Sequence, residues 1–402
     1  MRNHNLIIDG AYFVYSRLFV LPRQKAPTGF GESSDIDMRF MSTQGEMDIF
    51  MRKLSMDFAS ELRKLKNITG RIIFTQDSKS WRKDLFPTAE YKANREQDSK
   101  IHWSNVHKVV EEFTELLKEK GVIIHRVQGA EGDDLIYAWT SALNSQGENC
   151  IVWSGDTDLI QLVNYSRSTD AYTLWYDNTR SRLSVYPGFQ KYLEIKDGSK
   201  KEEYDDIFNV DSVLIISNQV KEEIKHFINT NKLETNEVFC DEYILAKILT
   251  GDKSDNIKSV YSVEKIGKTG KPRTSRINDE KAKSIVSTFK KRHGRFSSMY
   301  LFEESYKTEI LKLIASEMKL TNHEELLPNL ELNINLILLH SSTIPETLQT
   351  IMFNHIDSLL VESRKNELDI KNLLSKESIL NNTNYINAGY KTQDSNTHNS
   401  LF

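Results

Sequence analysis

Cys150-Ile151-Val152-Trp153-Ser154-Gly155-Asp156-Thr157-Asp158-Leu159 is an unbroken apolar run that stops in a Gly-Asp turn. Four apolar residues bounded by a turn read as a strand buried on both faces. The acidic pair Asp156 and Asp158 follows that strand immediately. The same grammar recurs upstream. Leu6-Ile7-Ile8 ends at Asp9-Gly10, Ile72-Ile73-Phe74 ends just before Asp77, and Val122-Ile123-Ile124 precedes Glu131 by a few residues.

Helical patterns lie between these strands. Met47, Phe50, Leu54, Phe58, Leu62 and Leu65 recur at helical spacing, as do Val106, Val109, Val110, Phe113, Leu116 and Leu117. Residues 133–143 read as a further helix. Strands alternating with helices predict an α/β fold, a mainly parallel central sheet flanked by helices. Ligands of such sheets bind beyond the carboxyl ends of the strands. The order along the chain therefore predicts one shared acidic pocket.

The pattern changes after Leu162. Residues 172–176 and 182–186 read as a hairpin across Asp177-Asn178. The expected organisation is an α/β domain over 1–187, an inserted surface region over 188–240, a mostly helical domain over 241–374 and a disordered tail over 375–402. Residues 21–45, with Pro22, Pro27, Gly29 and Gly31, read as a loop insertion. No internal repeat is evident.

Seven acidic side chains fall in three short clusters: Glu131, Asp133 and Asp134; Asp156 and Asp158; Asp252 and Asp255. Converging carboxylates repel one another, and the usual partner that offsets this is a hard divalent cation, Mg²⁺ or Mn²⁺. Taken singly, each cluster is equally well explained by helix capping or turn formation. Together, and with Asp9 and Asp77, they point to phosphodiester hydrolysis by two metals roughly 3.5–4 Å apart, which requires no His, Ser or Cys nucleophile.

Basic and aromatic residues supply the second signal. Trp81-Arg82-Lys83 and Tyr91-Lys92-Ala93-Asn94-Arg95 follow Asp77. Lys92 and Arg95 are expected at the scissile phosphate; Trp103 reads as a ring against an unpaired base, and Tyr91 reads equally as such a ring or as ordinary packing. Arg82 is counted with the nucleic-acid contacts. The segment from Lys258 to Arg295 holds twelve Lys/Arg against three Asp/Glu. Lys258, Lys265, Lys268, Lys271, Arg273 and Arg276 within it are the expected contacts to a duplex backbone. The net charge of −4 is thus distributed with opposite signs along the chain.

Composition bounds the rest. The 402 residues are 39% hydrophobic and 27% charged, which fits a globular protein with a sizeable core. No apolar run spans a bilayer, and the N-terminus goes directly into a strand without a signal-peptide pattern. Cys150 and Cys240 are too few for a disulfide framework. A cytoplasmic location is expected.

Asp9, Asp77, Tyr91-Lys92-x-Asn94-Arg95, Glu131-x-Asp133-Asp134, Ser154-Gly155-Asp156-x-Asp158 and Gly251-Asp252-x-Ser254-Asp255-Asn256-Ile257 together resemble the 5′-nuclease (flap endonuclease) family. The pairs Trp81-Arg82 and His102-Trp103 and the loop after Asp255 are most similar to the T-even phage ribonuclease H branch. The resemblance implies a PIN-like nuclease domain, a helical arch over about 83–108 and a helix–three-turn–helix duplex-binding module. It implies Asp9, Asp77, Asp133 and Asp156 around a first Mg²⁺. Asp158, Asp252 and Asp255 would serve a second, with Glu131 and Asp134 assisting. It also implies 5′→3′ exonuclease and flap endonuclease action on RNA primers and 5′ flaps in DNA or RNA–DNA duplexes during phage DNA replication in the host cytoplasm. A single-stranded DNA-binding protein is an expected partner.

The chain departs from the family in two places. Lys258 to Ile266 replaces the usual Gly-x-x-Gly-Ile-Gly hairpin, leaving only Gly267, so the family's monovalent-cation site is not expected here. Gly132 stands where Ala is usual, a change expected to matter little. Leu401 and Phe402 at the C-terminus resemble peptides that dock on sliding clamps. Two alternative readings are an endoribonuclease of PIN-like fold and a flap-binding subunit without catalysis. The basic segment after Asp255 disfavours the first, and the complete carboxylate set disfavours the second.

Overall fold

The computed structural model describes residues 4–21, 39–65, 68, 70–95, 99–186, 217–266, 272–294 and 296–363. The sheet is built from β1 (His4–Asp9), β2 (Ile72–Thr75), β3 (Ile123–His125), β4 (Asn149–Trp153), β5 (Asn164–Tyr165), β6 (Tyr172–Asp177), β7 (Arg182–Val185) and β8 (Glu234–Glu237). Its order is β3-β2-β1-β4-β6-β7-β8, with β5 paired to β6. β1 runs parallel to both β2 and β4, with Ile7 opposite Ile73 on one side and Val152 on the other. β4 and β6 are parallel, β6 and β7 form the antiparallel hairpin, and β7 and β8 are parallel. The sheet is thus mixed and mostly parallel. Leu6, Ile7, Ile8, Ile151, Val152 and Trp153 are fully enclosed, which is why these strands read as continuous apolar runs.

The helices are α1 (Gly10–Leu18), α2 (Gln44–Lys64), α3 (Trp81–Leu85), α4 (Trp103–Glu119), α5 (Gly132–Ser145), α6 (Asn218–Asn231), α7 (Cys240–Thr250), α8 (Asp279–His293), α9 (Glu304–Met318), α10 (Leu327–Ile337) and α11 (Glu346–Ser363). A ribbon of β9 (Ser262–Ile266) and β10 (Pro272–Arg276) lies between α7 and α8. Two compact units interleave along the chain. Met1–Tyr12, Asn67–Glu96 and His125–Val361 form one; Phe13–Lys66, Gln97–Ile124 and Glu362–Phe402 form the other. In the second, α2 and α4 pack through aromatic rings, with Phe58 edge-on to Phe113 at 5.9 Å. In the first, α7, α8, α9 and α10 share one apolar cluster that includes Ile244, Leu245, Ile285, Phe289, Ile310 and Leu330.

Several sequence expectations change here. The division at residues 187 and 241 runs along the chain, whereas the compact units cut across it. The region read as a surface insertion over 188–240 contributes to the core. Its residues 188–216 lie outside the described ones, but α6 buries Val220, Ile224 and Phe227, and β8 extends the sheet. Their apolar residues are spaced too widely among Lys, Glu and Asn to dominate the composition. The span 83–108 is not one element. It holds the end of α3, a 3₁₀ turn at Pro87–Ala89, the turns of 90–95 and the start of α4. Residues 96–98 lie outside the described ones, as do most of the 21–45 insertion and the 375–402 tail. α1 was not read from the sequence, because Gly10 and the aromatic residues after it carry little helix propensity.

Candidate active site

All the acidic residues singled out above lie within the first compact unit. Asp9 is the last residue of β1, Asp77 follows β2 by two residues, and Asp156 follows β4 and caps a 3₁₀ turn at Thr157–Leu162. Asp133 lies in the first turn of α5. Parallel strands place their carboxyl ends on one edge, so four segments distant in sequence meet there. Asp9 is buried at the floor of the pocket and accepts hydrogen bonds from the Tyr12 amide (3.0 Å) and the Ser154 hydroxyl (2.7 Å). Ser154 in turn accepts from the Asp156 amide at 2.9 Å.

Burial, with the charges of Asp77 and Asp156 nearby, pushes the Asp9 carboxyl up to about 7 against two hydrogen bonds that favour its charge. Asp133 is pushed well above the usual carboxylate range by burial and then by Asp156, Asp9 and Asp77. Burial raises Asp77 and Asp156 as well, against the opposing charges of Lys92 and Arg95 and, at Asp156, of Lys247. Gly132 contributes to the same geometry. Its amide donates to Asp77 Oδ1 at 2.5 Å, and a Cβ at this position would lie 2.9 Å from that oxygen. An alanine here would require only a small shift of the Asp77 carboxylate.

The remaining acidic residues are paired. Arg82 is buried, donating to both oxygens of Asp134 (2.9 and 3.1 Å) and to Glu131 Oε2 (2.8 Å). Trp81 Nε1 completes the Asp134 shell at 3.0 Å. Asp134 is fully buried in this network. Arg82 is turned inward, which removes it from the expected nucleic-acid contacts. Lys92 pairs with Glu131. Burial would raise the Glu131 carboxyl, but Lys92 and Arg82 outweigh it and hold Glu131 below its ordinary value. The same partners keep Lys92 charged: burial disfavours its ammonium, and Glu131 and Asp255 more than offset that.

Tyr91 is also buried, with its hydroxyl within 3.1 Å of Glu131 and 3.2 Å of Asp255. It bridges two acidic segments here and does not present a free stacking face. The turn that carries it docks on the loop after α7. The Lys92 amide donates to the Asp255 carbonyl (2.8 Å), Asn94 to the Lys253 carbonyl (2.9 Å) and Asn256 to the Glu90 carbonyl (2.9 Å), while Arg95 pairs with Asp255. The Tyr91–Arg95 and Asp252–Ile257 motifs are thus two halves of one interface.

Gly251, at φ 71°, ends α7 in a conformation that disfavours a side chain and turns Asp252 inward. Asp252 accepts from the Ser254 amide (2.7 Å) and hydroxyl (2.6 Å). Lys247, in the last turn of α7, pairs with Asp158 and lies 2.9 Å from Asp252. Burial would raise Asp252, but the bonds from Ser254 and Lys247 hold it down at about 2. Lys247 was not singled out in the sequence. The available signal was its position as the only cation in the apolar helix Ile244–Leu249, directly before an acidic motif.

The donor set is oxygen throughout, the chemistry that suits a hard divalent ion. Among the described residues, no three Asp, Glu, His or Cys side chains stand together closely enough to hold an ion as they are placed. The inner carboxylates Asp9, Asp77, Asp133 and Asp156 stay raised by burial in spite of Lys92 and Lys247 nearby, and such an ion would balance their charge. Asp158, Asp252 and Asp255 are held instead by Lys247 and Arg95. A cleft of about 580 Å³ opens beside them, lined by Lys247, Asp252, Lys253, Arg276 and Lys283. Lys258, Arg273 and Arg276 are exposed on or beside the ribbon. Lys268 and Lys271, together with the side chain of Lys265, lie outside the described residues. No described helix is long and apolar enough to cross a membrane.

Residues 4–186 match the 5′-3′ exonuclease N-terminal resolvase-like domain family. A 5′-3′ exonuclease of Buchnera aphidicola subsp. Acyrthosiphon pisum is 32% identical over 167 residues, which covers 40% of this chain and 49% of that protein. A second, from subsp. Schizaphis graminum, is 30% identical over 120 residues, covering 29% of this chain and 40% of that protein. The chain thus spans about half the length, or less, of the curated relatives it matches. A bacteriophage T5 flap endonuclease, solved with DNA and metal ions, aligns at 15% identity and a TM-score of 0.45, covering 89% of this chain and 99% of that one.

Proposed function

Residues 4–186 make this chain a member of the 5′-nuclease family, and from that premise we propose that its acidic pocket hydrolyses phosphodiesters near the 5′ end of a nucleic-acid strand. The observation that carries the reading is the meeting of Asp9, Asp77, Asp133 and Asp156, where burial and then the neighbouring carboxylates raise the affinity of Asp9 and Asp133 for a proton or any other cation. Asp9, Asp77, Asp133 and Asp156 would hold Mg²⁺, with Mn²⁺ as a substitute, and Asp158 and Asp252 would serve a second ion. Divalent ions bound there would supply Lewis acidity at the scissile phosphate and hydroxide at neutral pH.

The chain's own residues do the rest. Lys92 stays charged in a partly buried position beside Glu131, which keeps an ammonium at the rim of the pocket for an incoming phosphate. Arg95, half exposed and paired with Asp255, offers a second cation. Lys258, Arg273 and Arg276 would take the phosphates of the adjoining duplex without reading its sequence. The substrate class is a DNA or RNA–DNA duplex with a 5′ single-stranded end, as in RNA primers and 5′ flaps. A setting in phage replication, in the host cytoplasm and with a single-stranded DNA-binding protein nearby, belongs to the same proposal. So does docking of Leu401 and Phe402 on a sliding clamp.

Cleavage of a 5′-labelled flap duplex and of a 5′-RNA–DNA hybrid, with Mg²⁺ and with EDTA, tests this. Mg²⁺-dependent release of short 5′ products is expected. Tight structure-specific binding with no cleavage under any divalent ion would leave a flap-binding subunit in its place.

A further inference from the structure

Lys247 occupies a position that the proposed chemistry does not use. It projects from the last turn of α7 onto the 3₁₀ turn that follows β4. The two carboxylates it meets, Asp158 and Asp252, come from segments about ninety residues apart in the chain. Tyr243, one helical turn earlier on the same face, bonds the Thr157 side chain, so α7 rests on that turn at two points. Only 16% of the Lys247 side chain is exposed, against 21% for Asp158 and 12% for Asp252. Two like charges brought this close in a partly desolvated place repel, and a single ammonium between them reverses the sign.

The inner carboxylates have no ammonium bonded to them among the described residues. Lys92 is committed to Glu131, and Lys247 and Lys92 reach Asp156 only through their charge. An ammonium bonded to two carboxylates takes the place, charge and oxygen contacts that a divalent ion would need at the same pair. We propose that Lys247 is the built-in cation of the Asp158–Asp252 pair and that a divalent ion binds this pair only by displacing it. Binding at the outer pair is then a competition, while binding at Asp9, Asp77, Asp133 and Asp156 is not. The pocket fills from the inside outward, and the outer pair stays assembled when no ion is present. This inference rests on the metal-binding reading of the pocket given above.

The test uses the full chain without nucleic acid. Mn²⁺ is titrated by calorimetry and by its electron paramagnetic resonance signal into the unsubstituted protein, Lys247→Met and Lys247→Arg. In Lys247→Met the weaker class of Mn²⁺ sites should tighten by at least about tenfold, or appear where the unsubstituted protein shows a single class. The tighter class should change much less, since Lys247 reaches Asp156 only through its charge. The thermal midpoint of Lys247→Met should fall in chelator and recover more with Mn²⁺ than that of the unsubstituted protein. Lys247→Arg, which keeps the charge, should behave like the unsubstituted protein. If Lys247→Met does not fold, Lys247→Gln gives the same reading. A weaker class that is unchanged or lost in the neutral variants overturns the proposal and leaves the metal reading standing. Absence of Mn²⁺ binding in every protein overturns the metal reading and the proposal with it.

Discussion

The inner and outer halves of the acidic pocket are built from the same residue type and behave oppositely. Asp9, Asp77, Asp133 and Asp156 meet at the ends of parallel strands and at the start of α5; burial raises all four, and neighbouring carboxylates raise Asp9 and Asp133 further. Asp158, Asp252, Asp255 and Glu131 each have a cationic side chain bonded to them, and Asp252 and Glu131 are driven down. The difference lies in what faces each carboxylate. Strand ends present carboxylates to one another, whereas α7 and the turn at 90–95 bring Lys247, Lys92 and Arg95 with them. An acidic cluster in a sequence therefore says nothing about whether its charge is already balanced.

Four substitutions, taken in order of expected effect, can break or sharpen this contrast. Asp156→Ala should remove cleavage of the flap substrate by at least about three orders of magnitude, roughly 4 kcal/mol of barrier, with duplex binding in a gel-shift assay little changed. Normal turnover by that variant would show that the inner half is not the reaction centre.

Arg82→Met should destabilise the fold by roughly 3–5 kcal/mol, because it leaves Asp134 buried without its partner. Urea unfolding in chelator measures this. A loss below about 1 kcal/mol would mean that water reaches Asp134 and that the network is not a closed strut.

The sharpest contrast uses one chemical change in both halves. In chelator, Asp133→Asn should stabilise the fold, since it relieves the burial of a charge and the repulsion of Asp156 and Asp9. Asp252→Asn should destabilise it by roughly 1 kcal/mol, since it unties Lys247 and Ser254. Equal signs for the two would dissolve the distinction drawn here.

His125 provides a comparison away from the pocket's charges. It accepts from Trp139 Nε1 at 2.8 Å, with the His355 ring 4.9 Å away. Burial, then His355, lowers its pKa from 6.5 to about 3. The unfolded chain takes up this proton below pH 6.5 and the folded chain does not until about pH 3. Its contribution therefore turns against the fold as pH falls through that window, by about 2 kcal/mol at pH 5. His125→Gln should lose that part of the acid sensitivity in a pH series of melting curves. An unchanged slope would assign the acid sensitivity to other groups.

Local pattern determined a good deal of this protein on its own. The apolar runs at 6–8, 72–74 and 150–153 and the periodic stretches between them were sufficient for a mostly parallel sheet with helices on it, because a strand enclosed on both faces has no other composition available. The acidic residue after each strand was equally legible, since strand ends in such a sheet share an edge. What only the tertiary structure decided is which charges meet. Arg82 read as a substrate contact and is a buried strut under Asp134. Tyr91 read as a stacking ring or as ordinary packing and is a bridge between Glu131 and Asp255. Lys247 drew no attention and holds Asp158 to Asp252. Periodicity reports which face of an element is apolar, a property of neighbouring residues. Charge pairing depends on atoms brought within a few ångströms from segments tens to more than a hundred residues apart, and no local pattern encodes that distance.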